Sequence, residues 1–158
     1  MSQSRICLFP GTFDPITAGH LDIIDRALPL FDQIVVGIGR NAKKTPLFSE
    51  DNRLNWIREC YKNNPKISAL AYEGLTVDCC NKVGAKFILR GIRYVSDFEY
   101  EKAIADMNRS IDGAVETVFL TCSPQFTSVA STLIRDVYMN GGDVRPFLPR
   151  PVIQSLYP

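Results

Sequence analysis

The 158 residues include one histidine, one tryptophan and three methionines, and the five cysteines form no CxxC pair. A zinc cluster needs Cys and His ligands at close, regular spacing, so a metal site of that kind is not expected. Cys7, Cys60, Cys79, Cys80 and Cys122 are odd in number and mostly stand among apolar residues, so they read as buried free thiols with no function attached. Long apolar runs are missing too: no stretch approaches the roughly 18 residues of a membrane span. The start, MSQSRICLF, lacks a basic region followed by an apolar run. No membrane partner is expected, and the location expected is cytoplasmic. Neither sign of charge is in excess, since 18 basic side chains face 17 acidic ones. Without a broad basic field, nucleic acid is not expected as a partner. Linkers, repeats and low-complexity tracts are absent, and the length is that of one domain, so residues 1–158 are read as a single domain.

What is present is alternation. ICLF at Ile6 to Phe9 predicts a strand, and helical spacing follows from Thr17 to Leu30. A second strand is predicted at Ile34 to Gly39, then a helix capped by Ser49 that runs through Tyr61, with Glu50 and Asp51 suiting its positive first turn. Ile67 to Tyr72 predicts a third strand, Thr76 to Val83 a short helix closed by Gly84, and Phe87 to Leu89 a fourth strand running into a turn at Arg90 and Gly91. Ser96 with Glu99 three residues later reads as a capping box, opening a helix to about Arg109 in which Phe98, Ala103, Ala105 and Met107 are the apolar material. A fifth strand at Thr117 to Thr121, a helix over Ser131 to Met139 stopped by Gly141 and Gly142, and a short C-terminal helix complete the chain. The fold class expected is α/β: a doubly wound, Rossmann-like domain with a five-stranded, mainly parallel sheet and helices on both faces, joined by right-handed crossovers.

Such sheets bind ligands beyond the carboxyl ends of their strands. Gly11, Thr12 and His20 follow the first strand, Lys43 and Lys44 the second, Arg90, Gly91 and Arg93 the fourth, and Ser123, Thr127, Ser128 and Ser131 the fifth. All are groups that hold anions. PGTFDPITAGH, Pro10 to His20, joins a strand exit, a glycine and two prolines to a histidine in the first turn of a helix, an arrangement that turns backbone N–H groups and a ring N–H toward a phosphate. The segment matches neither the P-loop nor the GxGxxG pattern.

This segment closely resembles the T-x-G-H variant of the H-x-G-H signature of the nucleotidylyltransferase superfamily, with Thr17 where many relatives carry the first histidine. In the form PGTFDPITAGH it resembles the phosphopantetheine adenylyltransferase branch. The likeness continues through KKTPLF (Lys43 to Phe48), ILRGIRYVSDFEYE (Ile88 to Glu101), MNR (Met107 to Arg109), the helix entry near Ser131 and GDVRPFLP (Gly142 to Pro149). It implies transfer of the adenylyl group of ATP to 4′-phosphopantetheine. Thr12 and His20 would contact the reacting phosphates, and His20, Lys44 and Arg93 would be catalytic, His20 by stabilising the pentacoordinate transition state. Lys44 and Arg90 would hold the phosphate of phosphopantetheine, Thr76 its arm, and Met107 with Asn108 would line that arm. Thr12, Phe13, His20, Gly91, Ile92, Arg93, Glu101 and the run Phe126, Thr127, Ser128, Val129, Ala130, Ser131 and Thr132 would form the ATP site. The resemblance also implies a homohexamer and feedback inhibition by coenzyme A.

Two positions depart from the family's commoner pattern. Ala130 stands in a helix entry where relatives often have serines, so phosphate contacts fall to Ser131, Thr132 or backbone N–H groups. Phe126 stands where tyrosine or tryptophan is common, so a hydrogen bond from that ring is lost. The acceptor phosphate is already a nucleophile, and no enzyme nucleophile is required. No metal ligands are assigned to side chains; Mg²⁺ is expected as a cofactor carried by the ATP phosphates and water, with Asp14 contributing only through water. Lys44 and Arg90 also read as ordinary solvated loop charges, Glu101 as an exposed helix residue and Met107 as core. Two rivals stand beside this reading. One is a nucleotidylyltransferase for another acceptor, against which LRGIRYVSDFEYE argues; the other is a module that binds adenine nucleotide without turnover.

Overall fold

The computed structural model describes residues 4–41 and 45–158. Five strands, β1 (Ile6–Gly11), β2 (Gln33–Gly39), β3 (Ile67–Tyr72), β4 (Phe87–Ile92) and β5 (Glu116–Thr121), form one sheet in the order β3-β2-β1-β4-β5. Every pairing is parallel, so the sheet expected to be mainly parallel is wholly so. The helices are α1 (Ala18–Ala27), α2 (Glu50–Cys60), α3 (Thr76–Val83), α4 (Val95–Ile111), α5 (Ser131–Met139) and α6 (Arg150–Leu156).

Alternation along each strand divides the core into two layers. Cys7, Phe9, Ile34, Val36, Ile38 and Leu89 point to one face, where Ile23 and Ile24 of α1, Trp56 and Ile57 of α2, Ile134 of α5 and Val152 of α6 cover them. Leu8, Val35 and Ile88 point to the other, beneath Cys79 and Cys80 of α3. Strands buried on both faces read as unbroken apolar runs, which is why ICLF and IVVGIG were legible as strands. Each fully buried Leu or Ile contributes about 1.5–3 kcal/mol of burial free energy.

The structure departs from expectation where tertiary pairing outweighs a local signal. β4 does not turn at Arg90 and Gly91 but continues to Ile92, because Arg90, Gly91 and Ile92 pair with Phe119, Leu120 and Thr121 of β5. β1 likewise runs on to Gly11, opposite Ile38. α4 opens at Val95, earlier than Ser96 and Glu99 implied: the Asp97 carboxylate accepts the backbone N–H groups of Arg93 at 3.1 Å and Tyr94 at 3.3 Å, which leaves Ser96 inside the first turn. α1 gives way at Leu28–Leu30 to a tighter turn, since Pro29 has no N–H for the helical ladder. Gly84, at φ +73°, closes α3 as its position suggested. The apolar residues of α4 are largely uncovered: Phe98 packs edge-on against Phe119, but Val95, Tyr100 and Met107 are exposed and only Glu101 is buried. Of the thiols read as buried, Cys7, Cys79 and Cys80 are, whereas Cys60 and Cys122 are half-buried.

The chain order reverses between β1 and β4. Their carboxyl ends, Pro10–Gly11 and Arg90–Gly91, therefore lie side by side with helices departing to opposite faces, leaving a crevice between them.

Candidate active site at the switch point of the sheet

Two cavities open at that crevice. The larger, about 990 Å³, is lined by Thr12, Phe13, His20, Arg90, Gly91, Arg93 and the entry to α5; the smaller, about 470 Å³, by Tyr72, Thr76, Asn108 and Arg40 among others. Pro10, Gly11, Thr12, Arg90 and Glu101 line both, so they form a shared wall.

The turn after β1 is shaped by close approach. A Cβ on Gly11 would stand 2.9 Å from the ring of Phe13, and Phe13 itself holds φ +47°, a left-handed conformation unusual for a bulky residue. That conformation buries the Phe13 ring edge-on against Phe9 at 5.4 Å and against His20 at 5.0 Å, which fixes the plane of the imidazole. Thr17, fully buried, caps α1: its Oγ1 accepts the His20 N–H at 3.3 Å, and its own N–H donates to His20 Nδ1 at 3.0 Å. Because Nδ1 accepts that bond, the proton of the neutral ring sits on Nε2. Burial, then the positive charges of Arg90 and Arg93, lower the pKa of His20 to about 4. At neutral pH the ring is an uncharged Nε2–H donor at the cavity wall.

Arg90 is held at three points. Its guanidinium donates Nε to Glu101 Oε2 at 2.6 Å, Nη2 to Oε1, and Nη1 to the Pro10 carbonyl. The fork fixes its plane at the junction of the cavities. Arg93 extends over the larger cavity with Nε 3.3 Å from Asp97.

At the opposite wall α5 begins without a side-chain cap. Its N-cap is Ala130, no acidic residue stands in its first turn, and Ala130, Ser131 and Thr132 all face the larger cavity. Free backbone N–H groups and the positive end of the helix dipole suit that terminus to an anion. The Ser131 hydroxyl donates to the Pro15 carbonyl at 2.8 Å, so its proton is committed, and Thr132 with the backbone amides carries the donor capacity. The loop after β5 is pinned to α1 by Asp22, which accepts Ser123 N–H at 3.0 Å and Ser123 Oγ–H at 2.7 Å. Burial raises the Asp22 pKa, but these bonds and Arg26 outweigh it and hold the carboxyl below its usual range.

Of the residues proposed from sequence, Thr12, Phe13, His20, Gly91, Arg93, Glu101, Phe126, Val129, Ala130, Ser131 and Thr132 line the larger cavity, and Thr12, Thr76, Arg90 and Asn108 the smaller. Thr76 Oγ1 lies 3.0 Å from the Tyr72 hydroxyl. Both Glu101 oxygens face Arg90 and the residue is buried, which is not the exposed helix position also considered. Ile92, Thr127 and Ser128 line neither cavity, and the Thr127 hydroxyl instead donates to the Pro124 carbonyl at 3.0 Å. Met107 also lines neither and is 63% exposed on α4, which excludes the core position considered for it. Lys43 and Lys44 lie outside the described residues.

Sequence reading missed the residues that hold these groups in place. Arg53 is buried on α2 and donates Nε to the Phe48 carbonyl at 3.0 Å and Nη1 to the Thr12 carbonyl at 2.8 Å. Its only sequence signal is a charge beside Leu54, Trp56 and Ile57 on the apolar face of a helix. Asp14, considered only as a water-mediated metal contact, has its oxygens engaged by the N–H groups of Leu47 and Phe48. Among the described residues no group of three or more His, Cys, Asp or Glu could hold a metal ion, and no helix is long and apolar enough to cross a membrane.

Comparison with known proteins agrees with this architecture. Residues 8–137 match the model of the cytidylyltransferase-like family. A phosphopantetheine adenylyltransferase of Flavobacterium psychrophilum is 49% identical over 148 residues, covering 94% of this chain and 97% of that protein. Those of Bacteroides thetaiotaomicron and Lachnoclostridium phytofermentans are 46% and 40% identical, covering 92% and 97% of this chain and 95% and 94% of their own lengths. With a doubly wound sheet, paired cavities at its switch point and similarity along nearly its whole length, the chain belongs to the cytidylyltransferase-like family and, within it, to the phosphopantetheine adenylyltransferases.

Proposed function

We propose that the chain transfers the adenylyl group of ATP to 4′-phosphopantetheine, giving dephospho-coenzyme A and pyrophosphate, by direct in-line attack without a covalent enzyme intermediate. The observation that carries this reading is the wall shared by the two cavities: ATP in the larger and phosphopantetheine in the smaller would bring their phosphates together at Thr12 and Arg90. An acceptor phosphate oxygen attacks the α-phosphorus of ATP, the bond from that phosphorus to the bridging oxygen breaks, and pyrophosphate leaves with the electron pair.

The residues supply position and charge. Arg90, with Lys44, holds the acceptor phosphate. His20 Nε2–H donates to the α-phosphate as charge builds in the transition state, and Arg93 and the α5 amides receive the β- and γ-phosphates. Thr76 and Asn108 line the pantetheine arm. The described residues offer no carboxylate cage, so Mg²⁺ is proposed to enter on the ATP phosphates with water ligands and to offset leaving-group charge. Coenzyme A, which contains the pantetheine arm, would compete at the smaller cavity. A homohexamer is the proposed assembly, with exposed Val95, Tyr100 and Met107 on α4 and Leu133 and Met139 on α5 as surfaces for neighbouring copies to cover.

Pyrophosphate release is the test, measured with ATP and Mg²⁺ and with 4′-phosphopantetheine, pantetheine, nicotinamide mononucleotide or glycerol 3-phosphate as acceptor. Release with 4′-phosphopantetheine alone is expected. ATP binding without release from any acceptor would replace the enzyme with a nucleotide-binding module.

A further inference from the structure

Asp14 is a carboxylate placed where polyanions are expected to bind, and it is 2% exposed. Burying an ion at an anion site is unfavourable unless the charge does something an apolar residue of that volume could not. Its bonds show what it does. Oδ2 accepts the backbone N–H of Leu47 at 2.8 Å and Oδ1 that of Phe48 at 2.9 Å. Arg135 of α5 stands 3.6 Å from Oδ2 and donates to the Asp14 carbonyl at 2.7 Å. Arg53 completes the junction from α2 by bonding the Phe48 and Thr12 carbonyls. Backbone donors and an acceptor of the segment after β2 are thus tied to the turn after β1.

Thr45 and Pro46, immediately before Leu47, line the larger cavity, and Lys44 is the next residue along the chain. We propose that Asp14 is a positioning residue: it anchors the backbone at Leu47 and Phe48, and so sets the Thr45–Pro46 wall of the nucleotide cavity. Arg135 joins α5 to the same carboxylate, so the turn after β1, the segment after β2 and the phosphate-facing helix share one anchor. The inference rests on the adenylyl-transfer reading above. It concerns a residue at the edge of the larger cavity that is almost fully buried and whose two carboxylate oxygens each accept a backbone amide.

Asp14→Asn keeps the shape and one acceptor oxygen but turns an NH₂ toward one of the two N–H groups. Amide hydrogen exchange at Leu47 or Phe48 should then accelerate at least tenfold. Among folded molecules, well below the melting temperature, kcat should fall about 10- to 100-fold, since misplacing a positioning element by about 1 Å has an effect of that order. Leu47→Pro is the second variant. It deletes one donor at an exposed side chain and leaves the buried carboxylate intact, and a fall in kcat of at least fivefold is expected. Unchanged exchange at both amides in Asp14→Asn would overturn the proposal, as would lost protection with kcat within twofold of the parent. If Asp14→Asn does not fold, Leu47→Pro decides: folded protein with kcat within twofold overturns the idea. If the parent chain released no pyrophosphate, the adenylyl-transfer reading would fail by itself. The anchor would still be decided by exchange together with the Kd for ATP, and a Kd within twofold of the parent in both variants would overturn it.

Discussion

Replacing His20 with asparagine separates two tasks that the imidazole performs on its two nitrogens. Nδ1 accepts the Thr17 N–H at 3.0 Å and completes the cap of α1, while Nε2–H is the remaining ring donor of a residue that lines the larger cavity. Asparagine Oδ1 occupies nearly the place of Nδ1, so the cap survives and only the outward donor is lost. Loss of one such preorganised donor costs about 2.7–4 kcal/mol of transition-state stabilisation, or roughly 10²- to 10³-fold in kcat. Alanine removes both functions and leaves the N–H of Thr17, 1% exposed, without its partner. That adds about 1–3 kcal/mol of destabilisation, which for a chain of this length lowers Tm by about 2–12 °C. The assay is pyrophosphate release at saturating substrates beside thermal unfolding of both variants. Comparable kcat losses, with a drop in Tm confined to His20→Ala, are expected. A His20→Asn variant within threefold of the parent kcat would refute the assignment of Nε2–H to the transition state.

The chain has a single histidine, so its imidazole can be titrated by NMR without ambiguity; an Nε2–H tautomer and a pKa near 4 are expected in the free protein. Since that pKa lies below the unfolded value, the unfolded chain binds more protons between about pH 6.5 and 4, and His20 should reduce stability progressively as pH falls through that window and not above it. Chemical denaturation at stepped pH checks the sign. Arg90→Lys loses the fork on Glu101 and should raise KM for phosphopantetheine at least tenfold, more than KM for ATP; equal KM values for parent and variant would count against Arg90 as the acceptor anchor. Gly11→Ala places a methyl 2.9 Å from the Phe13 ring that packs on His20, so destabilisation of about 1–3 kcal/mol is expected, with reduced kcat in the folded fraction. Burial pushes the Cys80 thiol up to about 12 and Cys7 higher still, so neither should react with a disulfide reagent at pH 8 until the chain unfolds. ATP should slow any reaction at Cys122, which lines the larger cavity.

Two kinds of information had different reach in this protein. Strand cores such as Ile67–Tyr72 and helices such as Thr76–Val83 and Ser131–Met139 were legible to the residue, because period and caps are set by neighbours within four positions. The alternation of those elements also implied a switch-point crevice, and the PGTFDPITAGH segment and LRGIR fell at its rim. What local signals could not supply were the ends decided by partners. β4 continues through Arg90 and Gly91 only because β5 pairs with it there, and α4 is opened by Asp97 accepting two amides where a Ser96–Glu99 box was expected. The placement of Met107 outside both cavities and the occupation of both Glu101 oxygens by Arg90 likewise needed three dimensions. By itself the sequence determined the α/β class and the run of elements, because these depend on short-range periodicity and backbone geometry. Only the tertiary structure decided which groups are held and by what: Asp14 meets Leu47 across 33 residues, Arg53 meets Thr12 across 41 and Arg135 meets Asp14 across 121, contacts that depend on how the layers pack and leave no local pattern in the chain.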